Sequence, residues 1–318
     1  MSMAEKKRAL LIGNNNYRGK GVTNLKGCHN DVNRMKEVLE THGKGDPNFS
    51  VCDHTDLSND SIKEEIEILL KRDATYALLY FSGHGRKKSG SGFICGTDTE
   101  IGANLGVSMD WILCQINASK VLEITVILDC CHAGAFGNME FDEFELSTLR
   151  KGVTVLAATT KDDVSVEFLK KGIFTTILYD GLKGAAADTL GHVTPVGLYN
   201  CAESILNPWK QRPVFKSSVD QMTPLRFCLP EVKKRIIRQI FEKGFFTDKD
   251  VKIKLSKSML ERDNDRHQNY LTLSAFAKAG LISCTDRKTL IESTLNEECC
   301  ELSAYGKHIW ELAKNKRI

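Results

Sequence analysis

No segment of the 318-residue chain approaches the roughly 18 consecutive apolar residues that a membrane-crossing helix needs. The start, MSMAEKKRALLIG, sets its basic residues before only four apolar ones, too short for the core of a secretory leader. The expectation is a cytoplasmic protein with no membrane partner. Charge of one sign is equally scarce: 44 Lys+Arg stand against 41 Asp+Glu, a net +3, so neither nucleic acid nor anionic lipid can be assumed as a partner. None of the eleven cysteines lies in the CxxC spacing of zinc and redox motifs. Their odd number also argues against a disulfide framework and suits a reducing compartment, where most serve as small buried hydrophobes. Internal repeats and low-complexity tracts are absent.

Prolines number only six, and four of them, Pro208, Pro213, Pro224 and Pro230, fall within 23 residues. Helical patterning resumes directly afterwards with Val232, Ile236, Ile237, Ile240 and Phe241. A boundary near 230 follows, giving domains 1–230 and 231–318; the length, beyond what one core usually serves, agrees. Residues 231–318 hold 18 Lys+Arg and 13 Asp+Glu, so the basic surplus lies there while the remainder is slightly acidic.

Within 1–230, the continuous apolar runs Ala9–Ile12, Tyr76–Phe81, Ile124–Leu128 and Val153–Ala158 read as parallel strands buried on both faces. Helices are expected between them. Ser61-Ile-Lys-Glu64 is a capping-box signal followed by Ile62, Ile66, Leu69 and Leu70 on one face. A second helix is expected over 29–41 with Val32, Met35 and Leu39 inward, and a third after the N-cap candidate Ser108. The fold class is therefore α/β, a largely parallel sheet with helices on both faces.

Two strand ends carry reactive groups: Tyr80-Phe-Ser-Gly-His-Gly85 and Leu128-Asp-Cys-Cys-His-Ala-Gly134. Ligands of open α/β sheets bind beyond the carboxyl ends of strands, so two such ends bring a thiol and an imidazole together. A neighbouring His takes or stabilises the thiol proton and yields a thiolate nucleophile, which suffices for acyl transfer. Taken alone, Cys131 would read as a buried thiol; the conjunction with Ser82-Gly-His84-Gly makes it a nucleophile. Cys130 is assigned to the core, since consecutive strand residues point opposite ways, and His132 to a local hydrogen bond. Adjacent Cys130, Cys131 and His132 cannot readily share one tetrahedral ion, so no metal site is expected.

These paired motifs, with His84 and Cys131 separated by 47 positions, resemble those of the caspase-like cysteine peptidases, specifically the metacaspase branch of prokaryotic type. The resemblance covers about residues 6–220 and includes Leu25-Lys-Gly-Cys-His-Asn-Asp31 and Gly172-Ile-Phe-Thr-Thr-Ile-Leu178. It implies Cys131 as nucleophile, His84 as its catalytic partner, and the backbone N–H groups of Gly85 and Cys131 as an oxyanion hole. It also implies an acidic specificity pocket of Asp31, Ser82 and Asp129, selecting Arg or Lys at P1 through charge-assisted hydrogen bonds. Asp31 as a helix-N-terminal acid and Asp129 as a strand-end acceptor are the plainer readings of the two carboxylates. Calcium, often needed in that family, is unsupported: Asp98 with Glu100 falls short of the six or more oxygens it prefers. The acidic stretch Ala135–Arg150 ends in Arg150-Lys151, either an exposed loop or a self-cleavage site.

Beyond 230, three helical stretches precede Leu281-Ile282-Ser283, a polar Asp286-Arg-Lys turn and Glu301–Gly306 leading into a last helix. This pattern resembles a winged helix. Its basic and polar residues Arg262, Arg266, His267 and Lys278 leave nucleic-acid binding open, but the modest surplus favours contact with a regulatory protein partner. The expected function is a cysteine endopeptidase cleaving protein substrates after Arg or Lys, regulated or recruited through its C-terminal domain; cell-death or defence signalling is conceivable from the resemblance alone. The rival is a winged-helix nucleic-acid-binding or scaffold protein with an idle caspase-like domain, which would be expected to have lost Cys131 or His84; both are present.

Overall fold

The computed structural model describes residues 6–71, 73–88, 91–130, 149–158, 173–207, 213–242 and 244–318. The chain divides into two units, Met1–Ala187 with His192–Cys228, and Asp188–Gly191 with Leu229–Ile318. Strands and helices alternate in the first: β1 (Lys7–Gly13), α1 (Cys28–Glu40), β2 (Ser50–Thr55), α2 (Asn59–Lys71), β3 (Tyr76–Ser82), β4 (Gly85–Lys88), β5 (Ser91–Ile94), β6 (Val107–Ser108), α3 (Met109–Ala118), β7 (Glu123–Asp129), β8 (Val153–Ala157), α4 (Ile173–Asp180), β9 (His192–Val193), α5 (Pro195–Leu206), β10 (Val214–Ser218) and β11 (Arg226–Phe227).

The main sheet runs β10-β8-β7-β3-β1-β2, parallel throughout except for the antiparallel edge strand β10. Side chains alternate between its faces. Leu10, Ile12, Leu79, Phe81, Val126 and Leu128 pack with α2 and α3, whereas Ala9, Leu11, Leu78, Tyr80, Ile127 and Leu156 pack with α1, α4 and α5. Covering both faces explains why the central strands carry apolar residues on both faces rather than in alternation. Each such Leu or Ile contributes roughly 1.5–3 kcal/mol by leaving water.

Side-chain caps open several of the helices. Ser108 Oγ accepts from the amides of Asp110 and Trp111 and opens α3 where the sequence places it. The start of α2 differs: Ser58 Oγ accepts from Ser61 N at 3.3 Å, and Asp98 Oδ1, from a distant loop, accepts from Asn59 N at 2.7 Å. Ser61 therefore lies inside the helix rather than at its cap.

The second unit comprises α6 (Lys234–Ile237), β12 (Lys252–Lys254), α7 (His267–Lys278), β13 (Ile282–Cys284), α8 (Leu290–Leu295), β14 (Cys299–Leu302) and α9 (Ala304–Lys314). An antiparallel sheet of order β12-β14-β13 shares a core with Phe246, Phe276, Ile309 and Trp310. The strand-turn-strand expected after α7 is interrupted. Between β13 and β14 lies α8, opened by a capping box in which Thr289 and Glu292 satisfy each other's backbone amides. No helix among the described residues is long and apolar enough to cross a membrane.

Candidate active site

Gly13, Ser82 and Asp129 end β1, β3 and β7 and stand in register across the sheet. A Cβ on Gly13 would lie 2.6 Å from the Cys28 carbonyl oxygen and 2.7 Å from Val32 Cγ2, so only glycine lets α1 begin this close to the strand end. That approach carries Asp31, in the first turn of α1, against β3, where Ser82 Oγ donates to Asp31 Oδ2 at 3.0 Å. Both residues are buried. On the other side of Ser82, Asp129 Oδ2 accepts from Thr175 Oγ1 at 2.6 Å and from Thr175 N at 3.2 Å, in the first turn of α4. The Thr175 hydroxyl has one proton and gives it to the carboxylate, so Tyr80 Oη, 2.5 Å away, donates to it in turn.

Two carboxylates thus share a confined space, and neither has an ion-pair partner among the described residues. Burial first, and the charge of Asp129 second, push the Asp31 carboxyl up to about 6. Asp129 keeps some contact with solvent, yet the atoms packed around its carboxyl desolvate it and raise it too, against the pull of the Thr175 hydrogen bonds. Burial also pushes the neighbouring Cys28 thiol up to about 11, with both carboxylates adding to the rise. A cation entering this space would meet two carboxylates already largely desolvated.

His84 follows β3 two residues beyond Ser82. Its backbone N–H donates to Tyr17 Oη at 2.8 Å, and its ring lies 4.7 Å from the Tyr17 ring. A Cβ on Gly83 would lie 2.7 Å from that same hydroxyl, which accounts for the glycine between Ser82 and His84. His84 Nε2 is 2.8 Å from the Thr23 carbonyl oxygen. A carbonyl only accepts, so Nε2 carries the proton and the neutral ring keeps its basic lone pair on Nδ1. Gly85 is buried at the start of β4.

The structure therefore brings Asp31, Ser82 and Asp129 together, with His84 and Gly85 beyond the end of β3. Cys131 and His132 lie outside the described residues. Cys130 is buried in the apolar cluster that also holds Leu128, as its strand position requires. Nothing in the sequence pattern marks Tyr17, Tyr80 or Thr175 as functional. Thr175 sat in a segment already marked by its family likeness, and only the fold shows what it holds.

Asp98 and Glu100 do not suit calcium. Asp98 is committed to the fold, accepting from Asn59 N through Oδ1 and, at 3.4 Å, from Asn104 Nδ2 through Oδ2, so the pair does not present the oxygen set that ion requires. Arg150 is also engaged. Its guanidinium donates to the carbonyl oxygens of Ile116 (2.9 Å), Lys151 (2.7 Å) and Val121 (2.5 Å). Lys151 instead pairs with Asp220 at the exposed surface.

Comparison with known proteins agrees with this architecture. The caspase domain model matches residues 6–222. Metacaspase-6 of Arabidopsis thaliana is 27% identical over 183 residues, covering 52% of this chain and 48% of its own. Metacaspase III c of Phaeodactylum tricornutum (strain CCAP 1055/1) is 28% identical over 172 residues, covering 43% and 49%. The chain thus spans about half the length of these relatives. The solved structure of pro-sf-caspase-1 superposes with a TM-score of 0.50 at 13% identity, over 70% of this chain and 91% of that one, and so shares the fold. With well over half its length matched by the caspase domain, the chain belongs to the caspase-domain family.

Proposed function

We propose that the chain is a cysteine endopeptidase that cleaves proteins after Arg or Lys. The observation that carries this reading is the pair of desolvated carboxylates, Asp31 and Asp129, one hydrogen-bonded to Ser82 and the other in register with it on the strand next to the one that delivers His84. A P1 guanidinium or ammonium relieves the repulsion between them, and each charge-assisted hydrogen bond formed in such a desolvated pocket is strong. Cys131 is the nucleophile. His84 Nδ1 takes the thiol proton, the thiolate attacks the scissile carbonyl, and the backbone N–H groups of Gly85 and Cys131 receive the developing oxyanion. The imidazolium then protonates the leaving amine, and water activated by His84 hydrolyses the acyl-enzyme. The second unit, read as a winged-helix-like module, regulates the peptidase or docks a protein partner.

A panel of fluorogenic peptides differing only at P1 tests the reading, run with wild type and Cys131→Ala. Turnover confined to P1-Arg and P1-Lys and lost in Cys131→Ala supports it. Preference for P1-Asp, or full activity in Cys131→Ala, overturns it, and absence of turnover on every peptide favours an idle scaffold.

A further inference from the structure

At the open edge of the sheet, two strands from the β3 end that leads into His84, β2 carries Cys52 and His54. Separated by one residue, their side chains leave the same face of the strand. They pair in register with Leu10 and Ile12, whose side chains pack toward α2, so they continue that face to the edge, where α2 presents Glu65. His54 Nε2 lies 3.2 Å from Cys52 Sγ and 3.4 Å from Glu65 Oε2, and the three donor atoms all fall within 4.8 Å of one another. One nitrogen faces both a sulfur and an oxygen, and an Nε2–H has a single proton to share between them.

We propose that Cys52, His54 and Glu65 form a zinc site. Zinc–sulfur bonds of about 2.3 Å and zinc–nitrogen or –oxygen bonds of about 2.0–2.1 Å set tetrahedral edges of about 3.3–3.6 Å. The two contacts of His54 Nε2 already have close to that length, and rotation of Glu65 closes the third edge. A thiolate and a carboxylate neutralise the dication, while sulfur and imidazole donors select zinc over calcium or magnesium. The fourth position faces solvent, since His54 and Glu65 side chains remain 30% and 25% exposed. Bound there, the ion would tie the edge strand to α2. Its effect reaches further along the chain: two residues after His54, Asp56 accepts the backbone N–H groups of Asn15 and Asn16 at 2.8 and 2.9 Å. Those residues lead into Tyr17, which holds His84. The ion is thus placed to stiffen the loop that positions the imidazole, without touching substrate.

The test uses the full chain carrying Cys131→Ala, so that the expected nucleophile contributes no thiolate. Cobalt(II) is titrated in and then displaced with zinc. One equivalent should produce a thiolate-to-cobalt charge-transfer band with tetrahedral d–d absorption. Adding Cys52→Ser should abolish the charge-transfer band. Glu65→Gln, at a partly exposed helix position that threatens folding least, should weaken binding by more than about tenfold, the loss that even an outer-shell change produces at metal sites. No charge-transfer band in the parent, or unchanged affinity in Glu65→Gln, overturns the proposal; so does a band that persists in folded Cys52→Ser.

Discussion

Replacing Asp31 by Asn separates the stability of the pocket from its use. The carboxyl titrates near 3.8 when unfolded and is pushed up to about 6 in the folded chain. A raised folded value means that the group favours folding only while protonated: its contribution is present below about 4 and is lost as pH rises through about 6. Two units correspond to about 3 kcal/mol of unfavourable free energy above that window. Asn keeps the acceptor for Ser82 Oγ but carries neither the buried charge nor its repulsion with Asp129. Asp31→Asn should therefore be more stable than wild type at pH 8 by up to about 3 kcal/mol, a rise in Tm of about 6–12 °C for a unit of this size. Urea or thermal unfolding followed by far-UV circular dichroism at pH 8 and pH 4.5 measures the change, and the advantage should shrink to about 1 kcal/mol at pH 4.5. The same variant should lose roughly 2–5 kcal/mol of affinity for a P1 cation, or about 30- to 5000-fold in kcat/KM on P1-Arg peptides. In wild type, kcat/KM on those peptides should rise with pH through about 6 as Asp31 ionises. An Asn variant no more stable than wild type at pH 8, or one whose advantage does not change with pH, would refute the reasoning.

Cys131→Ala and His84→Ala should each cut turnover below about a thousandth of wild type with unfolding midpoints preserved, whereas Cys130→Ala should retain substantial activity; burst kinetics with an active-site titrant checks which thiol is acylated. Tyr17→Phe removes the acceptor of the His84 backbone N–H, so kcat should fall about tenfold while KM stays within about twofold, as steady-state kinetics would show. Prolonged incubation of active enzyme should yield no fragment ending at Arg150, whose side chain is tied to three carbonyls; any self-cleavage at this pair should follow Lys151, and intact mass reads the difference.

The central strands were legible because strands buried on both faces write themselves as unbroken apolar runs: Tyr76–Ser82 has no exposed position. The edge strand β2, with Cys52, His54 and Asp53 at partly exposed positions, carries no such signal. Ser61 has the spacing of a cap, but Asp98, 39 residues from Asn59, supplies the acceptor that starts α2 two residues earlier. The helix α8 was missed although Thr289 and Glu292 have capping-box spacing, since the stretch reads as a polar turn when only hydrophobic periodicity is followed. Asp31, Ser82 and Asp129 were legible through motif likeness. The supports were not, because Tyr17, Tyr80 and Thr175 act through contacts separated by 67, 95 and 46 residues.

β1, β3 and β7 are each seven residues long and pair from their first residue to their last. The three strands act as matched rulers whose common end mark is the pocket. Deleting one residue inside β3 or β7 would turn Ser82 or Asp129 to the opposite face, since side chains alternate with period two, and every inward residue beyond the cut would turn with it. Deleting two would restore the face but draw the carboxylate back by about 6.6 Å, out of reach of Asp31. Side-chain substitutions along these strands can be absorbed by repacking, whereas changes in strand length cannot, so the geometry of this pocket is as much a property of strand length as of charge.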